Sequence, residues 1–259
     1  IGDEIMFSSL FPELIRDSKS VIVNCDKRLI PIFKRSFSNK IIYESKIDKV
    51  KKKDYDQHIP IGSLPLIFRK NLKSFEKSSK AFLKEDDRKI FEIKNKLKFK
   101  KSDFIIGISW LTKSNLEMAS FRNISLNDLT KNLYYKNVKF VNLQYGNVEN
   151  ELNNFYKMYG IKIVDIKNID NFKNVYSFLN LLNACDFVIT IDNSTAHFAG
   201  ASGKPTFLLT PKGKGKHWTW SHENTKSLWY KSVEVFEQIE FNNWDKAIDK
   251  LYLRIKKFK

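Results

Sequence analysis

The chain has 259 residues, 42% hydrophobic and 14% aromatic, enough apolar material for one large domain or two ordinary ones and too much for a disordered chain. Its 46 Lys and Arg against 29 Asp and Glu give a formal charge of +17 and a pI near 9.6, a field that favours anionic partners. The lysines are scattered from KVKKKDYD to LRIKKFK and no RNA-binding or zinc-finger signature accompanies them, so specific nucleic-acid recognition is not expected.

Two isolated cysteines, Cys25 and Cys185, make neither a disulfide framework nor a zinc site and fit a reducing compartment. No apolar run approaches the ~18 residues of a membrane span, and no signal peptide opens the chain. The expected location is the cytoplasm, with at most peripheral contact with the inner face of the membrane. The chain opens at Ile1 rather than at a methionine, so it reads as a piece of a longer polypeptide with its first strand missing.

In chain order, the hydrophobic periods predict a helix over 4–17, a strand over 20–25 (SVIVNC), a helix over 27–36, and strands over 40–44 (KIIYE) and 56–60 (DQHIP). Helices follow over 63–75 and 86–98. The lysine-rich stretch NKLKFKKSD (95–103) has the composition of a linker, which divides the chain into parts 1–98 and 99–259. The second part carries strands near 104–109, 137–143, 161–166, 186–191, 205–210 and 232–236. It ends in a surface helix over 243–257 with apolar residues at 244, 247, 248, 251 and 255. Continuous apolar strands alternating with helices are the pattern of an α/β protein with parallel sheets covered on both faces.

The stretch DNSTAHFAGASGKP (192–205) lies between two such strands. Asp192, Asn193, Ser194 and Thr195 are all helix N-cap types, small residues continue the helix, and Gly203 and Pro205 end it. At the carboxyl end of a parallel strand, the amides of that first turn suit a phosphate or diphosphate. The helix dipole supplies about 0.3–2 kcal/mol, whereas micromolar binding needs about 8. Other groups must therefore complete such a site. Ordinary capping, with His197 as a packed helix-face residue, accounts for the same pattern.

The longer run DFVITIDNSTAHFAGASGKPTFLL resembles the donor-binding segment of glycosyltransferase family 9, the heptosyltransferase-like enzymes, in the branch often fused to tetratricopeptide repeats. IGDEIMFSSLFPELI, DQHIPIGSLP, IGISW, FRNISL, FVNLQYG and HWTWSHENTKSLWY follow that family's order and approximate spacing, so the resemblance spans nearly the whole chain. It implies a GT-B architecture: two Rossmann-like domains facing a central cleft, the acceptor on the first, a nucleotide-sugar on the second, and the terminal helix packed back toward the first.

By the same resemblance, Asp3 in the Gly-Asp loop is the general base for an acceptor hydroxyl, a role that typically contributes ~10²–10⁴ in rate; Asp is equally a helix cap. Asn193, Ser194, Thr195 and Ala196 would hold the donor diphosphate together with Arg122, whose guanidinium fork suits it, and with Lys113. Gln144, Asp192, His197 and Trp218 would contact nucleotide or sugar, while Glu4, His58 and Ser63 line the acceptor side. The nucleotide-sugar enters as substrate, with no cofactor and no metal. Asp54 and Asp56, in DYD, could hold a divalent ion, but the Asp-x-Asp pair belongs to the other major glycosyltransferase fold. The loop PKGKGKHWTW (211–220) departs from the family in its lysines, and Gly213 and Gly215 are expected to make it mobile.

The expected activity is inverting glycosyl transfer to a surface glycan, a lipid-linked acceptor or a protein, with upstream repeats as a further partner. A non-catalytic nucleotide-sugar or glycan-binding module and a basic nucleic-acid-binding protein are the alternatives.

Overall fold

A computed structural model describes residues 1–76, 80–112, 117–133, 137–166, 169–220 and 226–258. The chain begins with α1 (Gly2–Ser8) and α2 (Phe11–Arg16), where one helix over 4–17 was expected. Pro12 explains the division: within a continuous helix it would lack its N–H and clash with the preceding turn, whereas in the first turn of α2 it is tolerated. A two-stranded parallel sheet follows, β1 (Val21–Asn24) beside β2 (Ile41–Glu44), with α3 (Ile30–Ser36) between them and Pro31 in its first turn.

The strand expected at 56–60 does not form. These residues are exposed, Pro60 lacks a ladder donor, and among the described residues no strand lies alongside. The helix expected over 63–75 is the short α4 (Leu64–Phe68) followed by a separate 3₁₀ turn over Leu72–Phe75, which Asn71 caps by accepting from the Ser74 N–H. Helix α5 (Asp87–Leu97) starts where the Asp86 carboxylate accepts from Arg88 and Lys89 N–H and ends at Lys98, which adopts a left-handed conformation.

The second part is a six-stranded parallel sheet. Its elements are β3 (Phe104–Ser109), α6 (Leu126–Thr130), β4 (Val138–Asn142), α7 (Glu149–Tyr159), β5 (Ile163–Val164), α8 (Val175–Ala184), β6 (Phe187–Ile191), α9 (Ser194–Ala201), β7 (Thr206–Thr210), β8 (Val233–Glu237) and α10 (Asp245–Phe258). The spatial order β5-β4-β3-β6-β7-β8 places β3 beside β6, Ser109 opposite Thr190. Order reverses at that pair, and the crevice beyond its carboxyl ends is where open α/β sheets bind ligands.

Two hydrophobic clusters flank the sheet. One joins Ile5, Met6, Phe11, Leu29 and Ile93 to Val141, Phe178, Leu182, Phe198 and Trp229, so both parts of the chain share it. Helix α1 lies on α9 and α5 on α8. The other cluster draws on residues from 106 onward. There α10 lays Ala247, Ile248, Leu251 and Ile255 near β8 and α6, against the six-stranded sheet. Among the described residues, no helix is long and apolar enough to cross a membrane.

Candidate functional site at the carboxyl ends of β3 and β6

Ser109, the last residue of β3, is wholly buried and organises the reversal point. Its hydroxyl donates to Gln144 Oε1 (3.1 Å) and accepts from Asn193 Nδ2 (2.8 Å) and Thr195 Oγ1 (3.3 Å). Gln144 Oε1 also accepts from the Trp110 and Leu111 amides at 3.0 and 2.8 Å, and its Nε2 donates to the Leu111 carbonyl at 3.0 Å. Gln144 is 1% exposed, so it braces β3 against β4 instead of presenting its amide to a nucleotide.

Asn193 is the cap of α9. Its Oδ1 accepts from the Thr195 N–H at 2.9 Å, its backbone carbonyl accepts from the Ala196 N–H at 3.1 Å, and its Nδ2 is spent on Ser109 and on the Leu111 carbonyl. Thr195 and Ala196 are fully buried. Of residues 192–197, Ser194 alone is partly exposed, and the rest are buried. The residues expected to cradle a diphosphate thus divide: Asn193 and Thr195 fix the loop, Ala196 is buried, and Ser194 keeps some exposure.

Asp192 and Arg122 are brought together. Arg122 ends a 3₁₀ turn over Glu117–Arg122, and its Nη1 stands 3.5 Å from both Asp192 Oδ2 and the Asp192 carbonyl. Its Nε donates to the Gly215 carbonyl at 2.7 Å. Burial pushes the Asp192 carboxyl above its ordinary range, against the opposing pull of the Arg122 guanidinium and the Trp220 indole. Neither Asp192 Oδ2 nor Trp220 Nε1 has a hydrogen-bond partner of ordinary geometry, although both are buried. Unpaired polar atoms in such a place are costly without a ligand or water to meet them.

The lysine-rich loop is latched rather than loose. Lys216 pairs with Glu237 at 2.7 Å, Lys212 Nζ donates to the Ile239 carbonyl at 2.6 Å, and Arg122 grips Gly215. Gly215 has φ +81°, and a Cβ there would stand 2.6 Å from the Met118 carbonyl oxygen. The glycine permits a close approach to the 3₁₀ turn, where mobility was expected. Trp218 is 62% exposed, whereas Trp220 is 3% exposed and packs over His197 with ring centroids 5.1 Å apart.

Beside α9, Asp3 is exposed in the first turn of α1. The amino end of α1 abuts α9: a Cβ on Gly2 would come within 3.0 Å of His197 Cδ2. Asp3 is near enough for its charge to add to the burial that raises Tyr230. His197 is buried with Nδ1 2.9 Å from the Tyr230 hydroxyl, and burial first, then the neighbouring cations, pushes its pKa down to about 3. Glu4 serves the fold, since its Oε1 accepts from the Asp26 N–H at 2.7 Å.

His58 is exposed beside Tyr55, and Ser63 is half buried in a 3₁₀ turn packed on α1. Asp54 accepts from the Lys51 N–H at 2.8 Å within a 3₁₀ turn, and Asp56 lies exposed beyond it, outside any strand. Lys113 lies outside the described residues. Both cysteines are free and buried, and burial raises each thiol to about 12.

Sequence reasoning missed two residues here. Ser109 and Tyr230 lie inside matched stretches, IGISW and SLWY, but their chemistry depends on partners 33 to 86 positions away.

No protein-family model matches the chain. Over 276 aligned positions it is 28% identical to Protein FlbA of Caulobacter vibrioides, with 100% of this chain and 45% of that protein covered, so it spans under half that relative's length. Among solved structures it is similar to a glycosyl transferase of family 9 from Veillonella parvula, at TM-score 0.60 and 10% identity, covering 100% of this chain and 86% of the other. It is also similar to the ADP-heptose lipopolysaccharide heptosyltransferase II of E. coli, at TM-score 0.59 and 11% identity, covering 98% and 96%. At such identities the likeness is one of fold: this chain is an α/β protein of the GT-B type found in family 9 structures.

Proposed function

We propose that this chain transfers a sugar from a nucleotide-diphosphate donor to an acceptor hydroxyl, inverting the anomeric centre without a metal. The observation that supports it most is the meeting of Arg122, Asp192 and the Ser194 end of α9 at the sheet's reversal point, with the exposed Asp3 on the neighbouring α1. The Arg122 guanidinium has Nη2 without a protein partner among the described residues, a donor free for a diphosphate oxygen. Charge-assisted bonds of about 1.5–3 kcal/mol each would supplement the helix terminus. Asp3 would accept the proton of the acceptor hydroxyl as it attacks the anomeric carbon, and the nucleoside diphosphate would leave against Arg122 and α9. A glycan, lipid-linked or protein acceptor fits this chemistry, and the reaction requires no membrane-spanning element.

Calorimetric titration with UDP, GDP, ADP and CMP tests the donor side. One nucleotide is expected to saturate, with Arg122→Ala weakening it roughly 10- to 100-fold. The matching sugar-nucleotide then tests the chemistry: Asp3→Asn is expected to abolish transfer while leaving nucleotide affinity in place. Undiminished transfer by that variant would remove Asp3 from the mechanism, and silence of all four nucleotides would remove the donor site.

A further inference from the structure

We propose that Tyr230 is a positioning residue of this site: its phenol fixes His197 in the tautomer protonated on Nε2, so that the ring offers an N–H donor at the joint of α1 and α9. Glycosyl transfer enters only in naming the ligand, an oxygen of the sugar or acceptor beside Asp3.

Counting hydrogens fixes the tautomer. Tyr230 is 1% exposed, and the partner of its hydroxyl among the described residues is His197 Nδ1, at 2.9 Å. Burial and the nearby Asp3 carboxylate both oppose a phenolate, so the phenol keeps its hydrogen and must donate it. Nδ1 is the acceptor on offer. A neutral imidazole has one N–H, and if Nδ1 accepts, that hydrogen is on Nε2. The ring is neutral because burial disfavours its cation.

Nε2 faces the start of α1: a Cβ on Gly2 would lie 3.5 Å from it. It makes no hydrogen bond to a described residue, yet it is not among the sealed, partnerless polar atoms, so a ligand oxygen can reach it.

Three contacts hold the phenol in place. Its ring lies between Phe82, with centroids 6.3 Å apart and planes at 24°, and Trp220, at 5.9 Å and 36°. It also rests directly on the helix at Gly200, where a Cβ would fall 2.4 Å from Tyr230 Cγ. Because Trp220 packs on His197 as well, the two rings are locked together.

The test uses the full chain labelled with ¹⁵N-histidine and long-range ¹H–¹⁵N correlation at neutral pH, His197→Gln identifying the signal among the four histidines. Wild type is expected to show the Nε2–H pattern, and Tyr230→Phe, which keeps the ring packing, a mixture of tautomers. An Nδ1–H pattern in wild type, or unchanged spectra in Tyr230→Phe, overturns the proposal. A second arm titrates the sugar-nucleotide whose base the calorimetry selects. Gln can place an N–H near Nε2 and Asn cannot, so His197→Gln should bind roughly tenfold better than His197→Asn; equal losses overturn the donor role. If no nucleotide binds at all, the glycosyl-transfer reading fails, while the tautomer stands or falls on its own spectrum.

Discussion

His197 also makes folding sensitive to mild acid. In the unfolded chain its pKa is that of an ordinary histidine, about 6.5, and in the folded chain burial depresses it to about 3. A group depressed on folding contributes its full stability above the unfolded value and loses it as pH falls toward the folded one, because the unfolded chain takes up a proton that the native ring refuses. Below about pH 6.5 this residue alone should remove up to ~1.4 kcal/mol per pH unit. Urea midpoints at pH 7 and pH 5 check this: His197→Gln is expected to lose less between the two than wild type does, and equal losses would contradict the burial of a neutral ring. At this scale the sequence located residues better than it assigned their work. Asp3 and Arg122 were singled out through the resemblance and Ser194 as one of four capping types, and the structure leaves Asp3 exposed, Ser194 partly exposed and Arg122 beside Asp192. Gln144, Asn193 and Thr195 were legible as positions only, since the hydroxyl that occupies them, Ser109, is fixed by the sheet.

Among elements, the loop over 211–217 carries the sharpest consequence. Gly215 combines a left-handed φ with a close approach to the Met118 carbonyl, and it supplies the oxygen that Arg122 Nε holds. Gly215→Ala is strained on both counts, which releases the loop from the 3₁₀ turn. Trypsin should then cut after Lys212, Lys214 or Lys216 several-fold faster than in wild type, while Gly213→Ala, with nothing near its missing Cβ, serves as a control for backbone strain alone. Equal rates for the two variants would deny the latch. The six strands of the second part were readable because burial on both faces leaves continuous apolar runs such as FVITI and TFLLT. The segment 56–60 misled because a strand needs a neighbour, and none among the described residues lies beside it. Pro12 and Asn71 did carry local stop signals, and both outweighed the helical period around them.

For the whole molecule, the charge of +17 and the proposed diphosphate site predict different salt responses. A nucleoside diphosphate held by a few groups should lose less than about tenfold in affinity between 0.05 and 0.2 M salt, whereas an oligonucleotide spread over 6–10 phosphate contacts would lose about 10³–10⁵. Measuring both ligands on one preparation decides which kind of anion the surface serves. Tight oligonucleotide binding without nucleotide binding would favour the basic surface over the pocket. The cluster that unites Ile5, Leu29 and Ile93 with Phe178, Phe198 and Trp229 also bears on how the protein is made. On the ribosome the first hundred residues emerge with eight strand residues and a set of apolar faces whose partners have not yet been synthesised. They must wait for some 130 more residues before Trp229 closes the cluster. During that delay the nascent chain exposes the surfaces that invite chaperones or aggregation, so synthesis slowed before residue 229 would be more hazardous than the same pause after it.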